Sequence, residues 1–273
     1  MSDIVLSAGV RSNLLQLQQT SDLITLTQTR LASGKRVNSA LDNPINFFTA
    51  QGLSNRANDL SALLDNMSTG INTINAANNG ITSITKLVQS AQALVSQARQ
   101  TSDTTVQANL ATQYDAILTQ IDQLAGDSGF NGINLLDSGS SSDLTLTLNE
   151  SGSSTVTISA VDFSANGLSI ANAANNWSTS ASLDAASTDL TAALTTLRSQ
   201  AQSFGSSLST VQIRQDFTKA MINTLQTGAD NLTLADSNEE GANLLALQTR
   251  QQLSTTALSL ASQASQAVLR LFG

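Results

Sequence analysis

The side chains that could carry out acid–base or nucleophilic chemistry are few in this sequence. It has no histidine and no cysteine, so the commonest general base and the thiolate nucleophile are both missing. Its many serines have no evident activating partner, and no glycine-rich phosphate loop occurs. The carboxylates of Asp236, Glu239 and Glu240 could collect a cation, although we interpret them as a solvated linker before a helix. We therefore predict a protein that is not an enzyme and has no cofactor or metal.

Those carboxylates precede a segment that is apolar on more than one face. From Leu244 onward no Gly or Pro occurs before the last residue, and the only charges are Arg250 and Arg270. Spacings of three and four residues define two adjacent helical stripes. One stripe comprises Leu253, Ala257, Leu260, Ala264, Ala267 and Leu271, and the other Leu244, Leu247, Ser254, Leu258, Ala261, Val268 and Phe272. Together they form an apolar arc too wide for one partner, which predicts a helix that is surrounded.

The opening segment, residues 4–33, is also predicted to be one helix. Its stripe alternates steps of four and three residues, as in a coiled coil, and comprises Val10, Leu14, Leu17, Ser21, Ile24, Gln28 and Leu31. Gly34 is placed as a C-cap glycine, with Lys35 and Arg36 at the negative helix end. Because partial burial leaves a helix marginal, we expect the chain ends to be loose in a monomer and ordered only in an assembly.

Two long helical rods lie between the ends. The first, residues 45–99, follows Asn43 as N-cap and Pro44, and would be about 80 Å long. Its stripe slips by a residue after Ile81, which predicts a three-residue stammer. A shorter helix starts at Asp103–Thr104, and the second rod starts near Leu183 with the longest heptad run in the chain.

The middle of the chain is rich in Ser, Gly, Thr and Asn. Apolar residues alternate with polar ones on either side of Asn149–Gly152, which predicts a β-hairpin. Residues 130–133 predict a tight turn, for which type I′ is one candidate geometry. The predicted fold is therefore mainly α, with long antiparallel coiled-coil-like rods from both chain ends and a small β-hairpin excursion in the middle. The predicted segments are 1–43 and 236–273 as the two halves of a terminal-helix core, 44–137 and 181–235 as the rods, and 138–180 as an outer β segment.

Composition limits the partners. The net charge of −8 and pI near 4.3 argue against nucleic acid or an anionic membrane. Aromatic residues make up only 3% of the chain, which favours long helices over a rounded enzyme core. No basic, uninterrupted apolar leader or 18-residue apolar span occurs. These features predict a cytoplasmic protein or one exported without a cleaved signal.

Both ends of the chain resemble bacterial flagellin. The segment Arg30–Asn43, with the sequence RLASGKRVNSALDN, is similar to the family's amino-terminal signature. Phe130-Asn131-Gly132 is similar to its mid-chain turn, and Gln248–Phe272 to its carboxyl-terminal helix. The resemblance covers roughly residues 1–137 and 183–273, and the motifs are specific because they occur together and in this order.

The resemblance implies a structural subunit that self-assembles into the flagellar filament for swimming motility. It implies export unfolded through the flagellar export apparatus, with a secretion chaperone on the carboxyl-terminal segment, and growth beneath a cap protein on top of junction proteins. It also allows co-assembly with other flagellins, and it implies an extracellular location. The residues expected to pack between subunits are Val10, Leu14, Leu17, Ile24, Leu31, Leu253, Leu258, Leu260, Val268, Leu271 and Phe272.

Two positions differ from those of flagellins that the innate flagellin receptor senses. Such flagellins resemble this chain along the first rod but carry arginine at the position of Ser90 and glutamate at that of Gln113. Loss of charge-assisted contacts at an interface weakens binding, so we expect weak receptor activation.

Two other functions remain open from the sequence. The hook–filament junction protein resembles flagellin at both ends and occurs in few copies at the filament base. An intracellular coiled-coil adaptor would use the heptad rods to dock partners, and predicts soluble dimers with helical ends at low concentration.

Overall fold

The architecture is mainly helical. The computed structural model describes residues 8–139 and 143–272, except that the side chains of residue 265 and of residues 268–272 are not described. In the described residues the helices are α1 (Ala8–Ser33), α2 (Pro44–Arg99), α3 (Thr104–Asp127), α4 (Ser180–Thr233) and α5 (Ser237–Phe272). Between α3 and α4 lie β1 (Leu144–Thr147), β2 (Thr155–Ile158) and a short 3-10 helix, Ala174–Trp177. The predicted fold class is confirmed.

The chain divides into two compact units. The terminal unit comprises Met1–Asn55 and Thr224–Gly273, and the central unit comprises Arg56–Asn223. Both divisions fall inside long helices, α2 and α4, whereas the five segments predicted from the sequence follow the loops. That five-part division remains a prediction.

Most helix ends lie where the capping residues in the sequence predict them. Gly34 has a φ of +66° after α1, as a C-cap glycine requires. The Asn43 side chain accepts a hydrogen bond from the Asn46 N–H (3.0 Å), and Asp103 Oδ1 accepts one from the Thr105 N–H (2.8 Å). Residues 4–7 of the predicted opening helix lie outside the described residues.

The predicted linker before the terminal helix is wrong. Residues 237–241 already belong to α5, because Asp236 Oδ1 accepts hydrogen bonds from the N–H groups of Asn238 (2.8 Å) and Glu239 (3.3 Å) and caps the helix. Glu240, which we interpreted as solvated, is only 7% exposed. A polar run is therefore the first turn of a helix here.

The core of the central unit is built from the apolar faces of α2, α3 and α4. From Leu60 onward, the buried apolar residues of α2 are Leu60, Met67, Ile74, Ala77, Ile81, Ile84, Val88, Ala91, Val95 and Ala98. All fit one unbroken heptad pattern, so the predicted stammer is wrong. The slip arose from Leu64 and Ile71, which are only half buried, whereas the small residues Gly70 and Ala77 face the core.

The predicted hairpin is present and packs on α2. β1 and β2 pair antiparallel with Leu144 opposite Ile158 and Leu146 opposite Val156. The buried Leu146 side chain occupies the space above Gly70, where an added Cβ would approach its Cδ1 to 2.5 Å. A larger residue at position 70 would displace the hairpin.

The turn at residues 130–133 has the predicted type I′ character. Phe130 and Ile133 exchange backbone hydrogen bonds (2.8 and 3.0 Å), and Asn131 and Gly132 both have positive φ angles, +50° and +79°.

A connecting segment of loops and turns, residues 160–173, is held on α3 by side chains of that helix. Asp122 and Asp115 accept hydrogen bonds from the backbone N–H groups of Ala165 (2.7 Å) and Ala173 (2.9 Å). The Tyr114 hydroxyl donates to the Ala171 carbonyl (3.1 Å), and burial is the main cause that raises its pKa well above the usual range. The 3-10 helix that follows ends at Trp177, whose ring is fully buried and meets the Tyr114 ring edge-on, with 4.9 Å between the ring centroids.

Replacing Gly80 by alanine is expected to destabilise the central unit by about 2 kcal/mol, because an added Cβ overpacks a filled site. It would overlap the Ser128 hydroxyl and approach the buried Leu136 Cδ1 to 2.6 Å. The matched control on the same helix is Gly52→Ala, where nothing lies within 4 Å, and it is expected to be neutral or stabilising. Urea unfolding monitored by circular dichroism measures both, and equal effects of the two variants would contradict this packing.

Candidate subunit-packing surface

The helices α1 and α5 pack along each other in the terminal unit, but they bury little apolar surface. The buried side chains of α1 are Thr20 and Thr27. Among the described residues of α5, the one buried side chain is that of Glu240. The remaining residues of the seam are half buried: on α1 Val10, Asn13, Leu17, Ile24 and Arg30, and on α5 Leu244, Leu247, Gln251, Ser254, Leu258 and Ala261. In the described residues no large apolar side chain of either helix reaches full burial.

Both helices instead leave leucines exposed, beside the seam and on their outer faces. The exposed leucines of α1 and α5 are Leu14, Leu15, Leu23, Leu26, Leu31, Leu245, Leu253 and Leu260. Leu253 and Leu260 are 67% and 66% exposed and lie one heptad apart, so they mark a continuous unpartnered stripe. An apolar stripe that has no partner within the described chain indicates an interaction surface.

The residues predicted to pack between subunits fall into three groups. Val10, Leu17, Ile24 and Leu258 are half buried within the α1–α5 seam. Leu14, Leu31, Leu253 and Leu260 face outward. The side chains of Val268, Leu271 and Phe272 lie outside the described residues. Packing between subunits therefore stays a prediction, which the exposed group supports directly.

The face of α1 that packs on α5 differs by one residue, at every second turn, from the stripe predicted from the sequence. The sequence placed Ser21 and Gln28 on the inner face, but both are exposed, and the buried residues are Thr20 and Thr27. The seven-residue spacing of these threonines is a signal that could have located the seam.

The hydroxyl groups of the terminal helices bond to their own backbone. Thr20 donates to the Gln16 carbonyl (2.8 Å) and Thr29 to the Thr25 carbonyl (2.9 Å). On α5, Thr249 donates to the Leu245 carbonyl and Thr256 to the Gln252 carbonyl, both at 2.9 Å. These hydroxyls are thereby satisfied without a neighbouring helix.

Backbone hydrogen bonds tie the two chain ends together beside α1. Arg36 and Val37 donate to the Thr233 carbonyl (2.7 and 3.2 Å), and Ala235 donates to the Gly34 carbonyl (3.0 Å). The Val37 side chain is 4% exposed, so an apolar contact accompanies this pairing. The segment that carries the resemblance at the amino terminus is thus the segment that joins both ends.

An ion pair crosses the α1–α5 seam. Arg30 Nη1 lies 3.2 Å from Glu240 Oε1, and the Glu240 side chain is 9% exposed against 27% for Arg30. The Nε of Arg30 is buried without a hydrogen-bond partner, so the guanidinium depends on this carboxylate for compensation. Sequence reasoning missed this pair because the partners are 210 residues apart.

Substituting glutamine for Glu240 is expected to weaken the terminal helix pair by about 1.4 kcal/mol, because it leaves the Arg30 charge half buried and uncompensated. Amide hydrogen exchange of α1 and α5 in the assembled protein should accelerate by about tenfold. The matched control is Glu239→Gln, since Glu239 is exposed in the same turn. Unchanged exchange in Glu240→Gln would show that the ion pair contributes nothing.

The described residues contain no group of three or more acidic, histidine or cysteine side chains arranged to hold a metal. No helix in the described ranges has the combined length and apolar character that crossing a membrane needs. Ser90 on α2 and Gln113 on α3 are both exposed, and the Ser90 hydroxyl donates to the Lys86 carbonyl (3.0 Å).

Two family models match most of the chain. Residues 8–141 match the bacterial flagellin N-terminal helical region, and residues 187–272 match the bacterial flagellin C-terminal helical region. A structural match with the crystal structure of Bacillus cereus flagellin covers 57% of this chain and 88% of the Bacillus cereus chain, at 23% sequence identity. Its TM-score of 0.48 is too low for comparison residue by residue.

Full-length relatives are similar over the whole sequence. Flagellin FljK of Caulobacter vibrioides is 32% identical and flagellin FljM of the same organism 31% identical, each over 100% of this chain and 99% of the relative. A flagellin of Brucella melitensis is 28% identical with the same coverage of both chains. These matches include the paired terminal helices, the segment that joins them and the mid-chain turn, and the chain therefore belongs to the bacterial flagellin family.

Proposed function

We propose that this chain is the structural subunit of a bacterial flagellar filament, which it builds by self-assembly for swimming motility. The observation that carries the proposal is the unpartnered leucine stripe of the terminal helix pair in a chain that matches flagellins from end to end. Burying those leucines against copies of the same chain removes apolar surface from water. An open helical polymer forms when such contacts are heterologous and do not close into a ring.

The alternatives are not favoured. The relatives that match the full length are named flagellin, rather than hook–filament junction protein. An intracellular adaptor would not be expected to match both flagellin terminal regions in their family order. The family is a structural one, which supports the expectation that the chain is not an enzyme.

Seeded polymerisation tests this function. Purified chain, added to sheared fragments of its own filaments, is expected to extend them into helical fibres visible by electron microscopy. Trypsin is expected to remove the ends of dilute monomer and to spare them in the fibres, because α1 and α5 complete their burial only in the polymer. Monomer ends as resistant as those of the fibre would contradict the proposal.

The finer features of the proposal concern the path to the filament. The chain is exported through the flagellar export apparatus, and a secretion chaperone covers α5 beforehand. It joins the growing fibre under a cap protein, above junction proteins and alongside other flagellins. The exposed leucines of α5 support chaperone binding, because they would otherwise aggregate inside the cell. Deletion of α5 is expected to abolish co-purification of the chaperone.

Weak activation of the innate flagellin receptor is a separate prediction, on Ser90 and Gln113. Restoring the charges with Ser90→Arg and Gln113→Glu together is expected to raise monomer potency in a reporter assay by tenfold or more, the equivalent of about 1.4 kcal/mol. Both side chains are exposed, so the substitutions should leave folding unchanged. Thr112→Arg, at the exposed residue beside Gln113, is the control. Strong potency of the unmodified chain would overturn the prediction.

A further inference from the structure

A pocket of about 580 Å³ lies in the central unit beneath the turn of the β-hairpin. Its walls come from α2, α4 and the hairpin, and they include Leu60, Leu148, Phe217, Met221, Arg56 and Arg214. Phe217 is 55% exposed and nearby Ile213 is 67% exposed, so the apolar wall continues onto the open surface of α4. The pocket has the volume and the lining to receive a large aliphatic side chain.

The roof of this hairpin pocket is fixed in place. The Asn149 side chain donates to the hydroxyls of Ser151 (3.0 Å) and Ser153 (2.8 Å) and accepts from the Ser154 N–H (3.0 Å). Arg56 donates from Nε to the Glu150 carboxylate, and this bond is the main cause that lowers the pKa of Glu150. The pocket is therefore preformed, and occupancy does not require the hairpin to be ordered first.

One cation of the pocket has no protein partner among the described residues. Arg56 is paired with Glu150, but Arg214 makes no ion pair or hydrogen bond with the described part of the chain. The pocket thus offers apolar walls beside a free guanidinium, which suits an aliphatic side chain next to a carboxylate.

That combination of groups occurs on a loop of the terminal unit. Leu41 is 96% exposed, the most exposed of the large apolar side chains in the described residues. It is followed by Asp42, whose Oδ2 accepts hydrogen bonds from the N–H groups of Asn38 and Ser39, each at 2.9 Å. These backbone bonds, that of Ser39 first, hold the pKa of Asp42 below its usual range, so its carboxylate stays charged at neutral pH.

The loop presents Leu41 rigidly. The Leu41 N–H donates to the Ser39 hydroxyl (3.3 Å), and the Asn38 side chain donates to the Lys35 carbonyl (2.9 Å). A leucine held in a bonded loop and almost entirely in water costs free energy of hydration without contributing to the core of its own chain. Such a side chain is suited to insertion into a partner.

We propose that Leu41 of one copy inserts into the hairpin pocket of a second copy, with Asp42 facing Arg214. The second copy is the partner because the two surfaces complement each other in shape and charge and lie on different parts of one sequence. A side chain and a pocket that differ in this way form a heterologous contact, which an open polymer requires. The inference rests on the proposed filament function and adds the identity of one contact.

Cysteine cross-linking tests the contact cleanly, because the chain has no cysteine of its own. Two single variants, Leu41→Cys and Phe217→Cys, are mixed, grown on wild-type seeds and treated with a short bismaleimide. A covalent dimer is expected in the fibres and not in the dilute mixture. The control mixture pairs Leu41→Cys with Arg198→Cys, which lies on α4 beside a different groove and should give no dimer.

The outcomes separate this inference from the proposed function. If wild-type chain does not extend seeds, the filament function itself fails and the contact falls with it. If fibres grow but the Leu41–Phe217 mixture gives no more dimer than the control, the contact alone is overturned. A dimer of Leu41→Cys with itself would also overturn it, because that result means a self-complementary patch.

A double-mutant cycle gives a second readout. Asp42→Asn and Arg214→Gln are each expected to raise the critical concentration for fibre growth by about threefold or more. The double variant is expected to lose no more than either single variant, because each substitution removes the same ion pair. Both positions are exposed, and asparagine keeps an oxygen acceptor for the N–H groups of Asn38 and Ser39, so the monomer should fold normally. Additive losses in the double variant would show that the two side chains do not meet.

Discussion

Fibre growth is expected to stop when Leu260 is replaced by glutamate, whereas the isolated chain keeps its helical content. Leu260 is 66% exposed, so the substitution removes nothing from the core of the single chain. In the polymer it loses the burial of a leucine, about 2 kcal/mol, and places a carboxylate in an apolar contact at a further cost of several kcal/mol. Since each 1.4 kcal/mol is a factor of about ten, the critical concentration should rise by at least 100-fold.

Sedimentation of fibres across a series of chain concentrations measures this effect. Leu260→Met is the matched control, because it conserves volume and apolar character and should polymerise close to wild type. Leu253→Glu, one heptad earlier on the same stripe, should repeat the loss. Wild-type critical concentration in Leu260→Glu would show that the outer stripe of α5 faces solvent in the filament.

Replacing Trp177 by alanine is expected to destabilise the central unit by about 3–5 kcal/mol. The ring is fully buried and contacts Tyr114 edge-on, so truncation leaves a large cavity and removes an aromatic pair. Trp177→Phe is the matched control, because it keeps an aromatic ring and removes only the indole N–H and part of the volume. Because Trp177 Nε1 is buried without a hydrogen-bond partner, Trp177→Phe loses no bond and should cost much less than alanine.

Urea unfolding followed by circular dichroism compares the two Trp177 variants, since removing the chain's one tryptophan also removes its fluorescence. If phenylalanine cost as much as alanine, the indole N–H would have to be bonded in solution, contrary to its environment here.

Local chemistry was enough to predict most of the elements. The Asn43–Pro44 start, the Asp103 cap and the Gly34 stop are decided by neighbouring residues, and each holds. Asp236 was the exception, because a capping aspartate within a polar run has the same composition as a loop. The α2 stammer failed for a different reason: Gly70 faces the core because Leu146, from a distant hairpin, fills the space above it.

The candidate surface shows why periodicity alone misplaced α1. The usual rule assigns the most apolar stripe of a helix to the inside of its own chain. In α1 most leucines face outward and threonines occupy the seam, so that rule selects a partly external face. The predicted packing of copies on these outer leucines would account for this distribution, but a single sequence carries no mark that separates contacts within a chain from contacts between chains.

The hydroxyls of the exposed threonines Thr29, Thr249 and Thr256 bond back to carbonyls of their own helices, which leaves their methyl groups to meet an adjacent molecule. Contacts made by these methyls and by the exposed leucines have no directional bonds that must break when one helix moves lengthwise against another. Small axial displacements between protofilaments should therefore cost little, and a fibre made of such rods can bend and recover under the torque of rotation without any subunit having to leave its place.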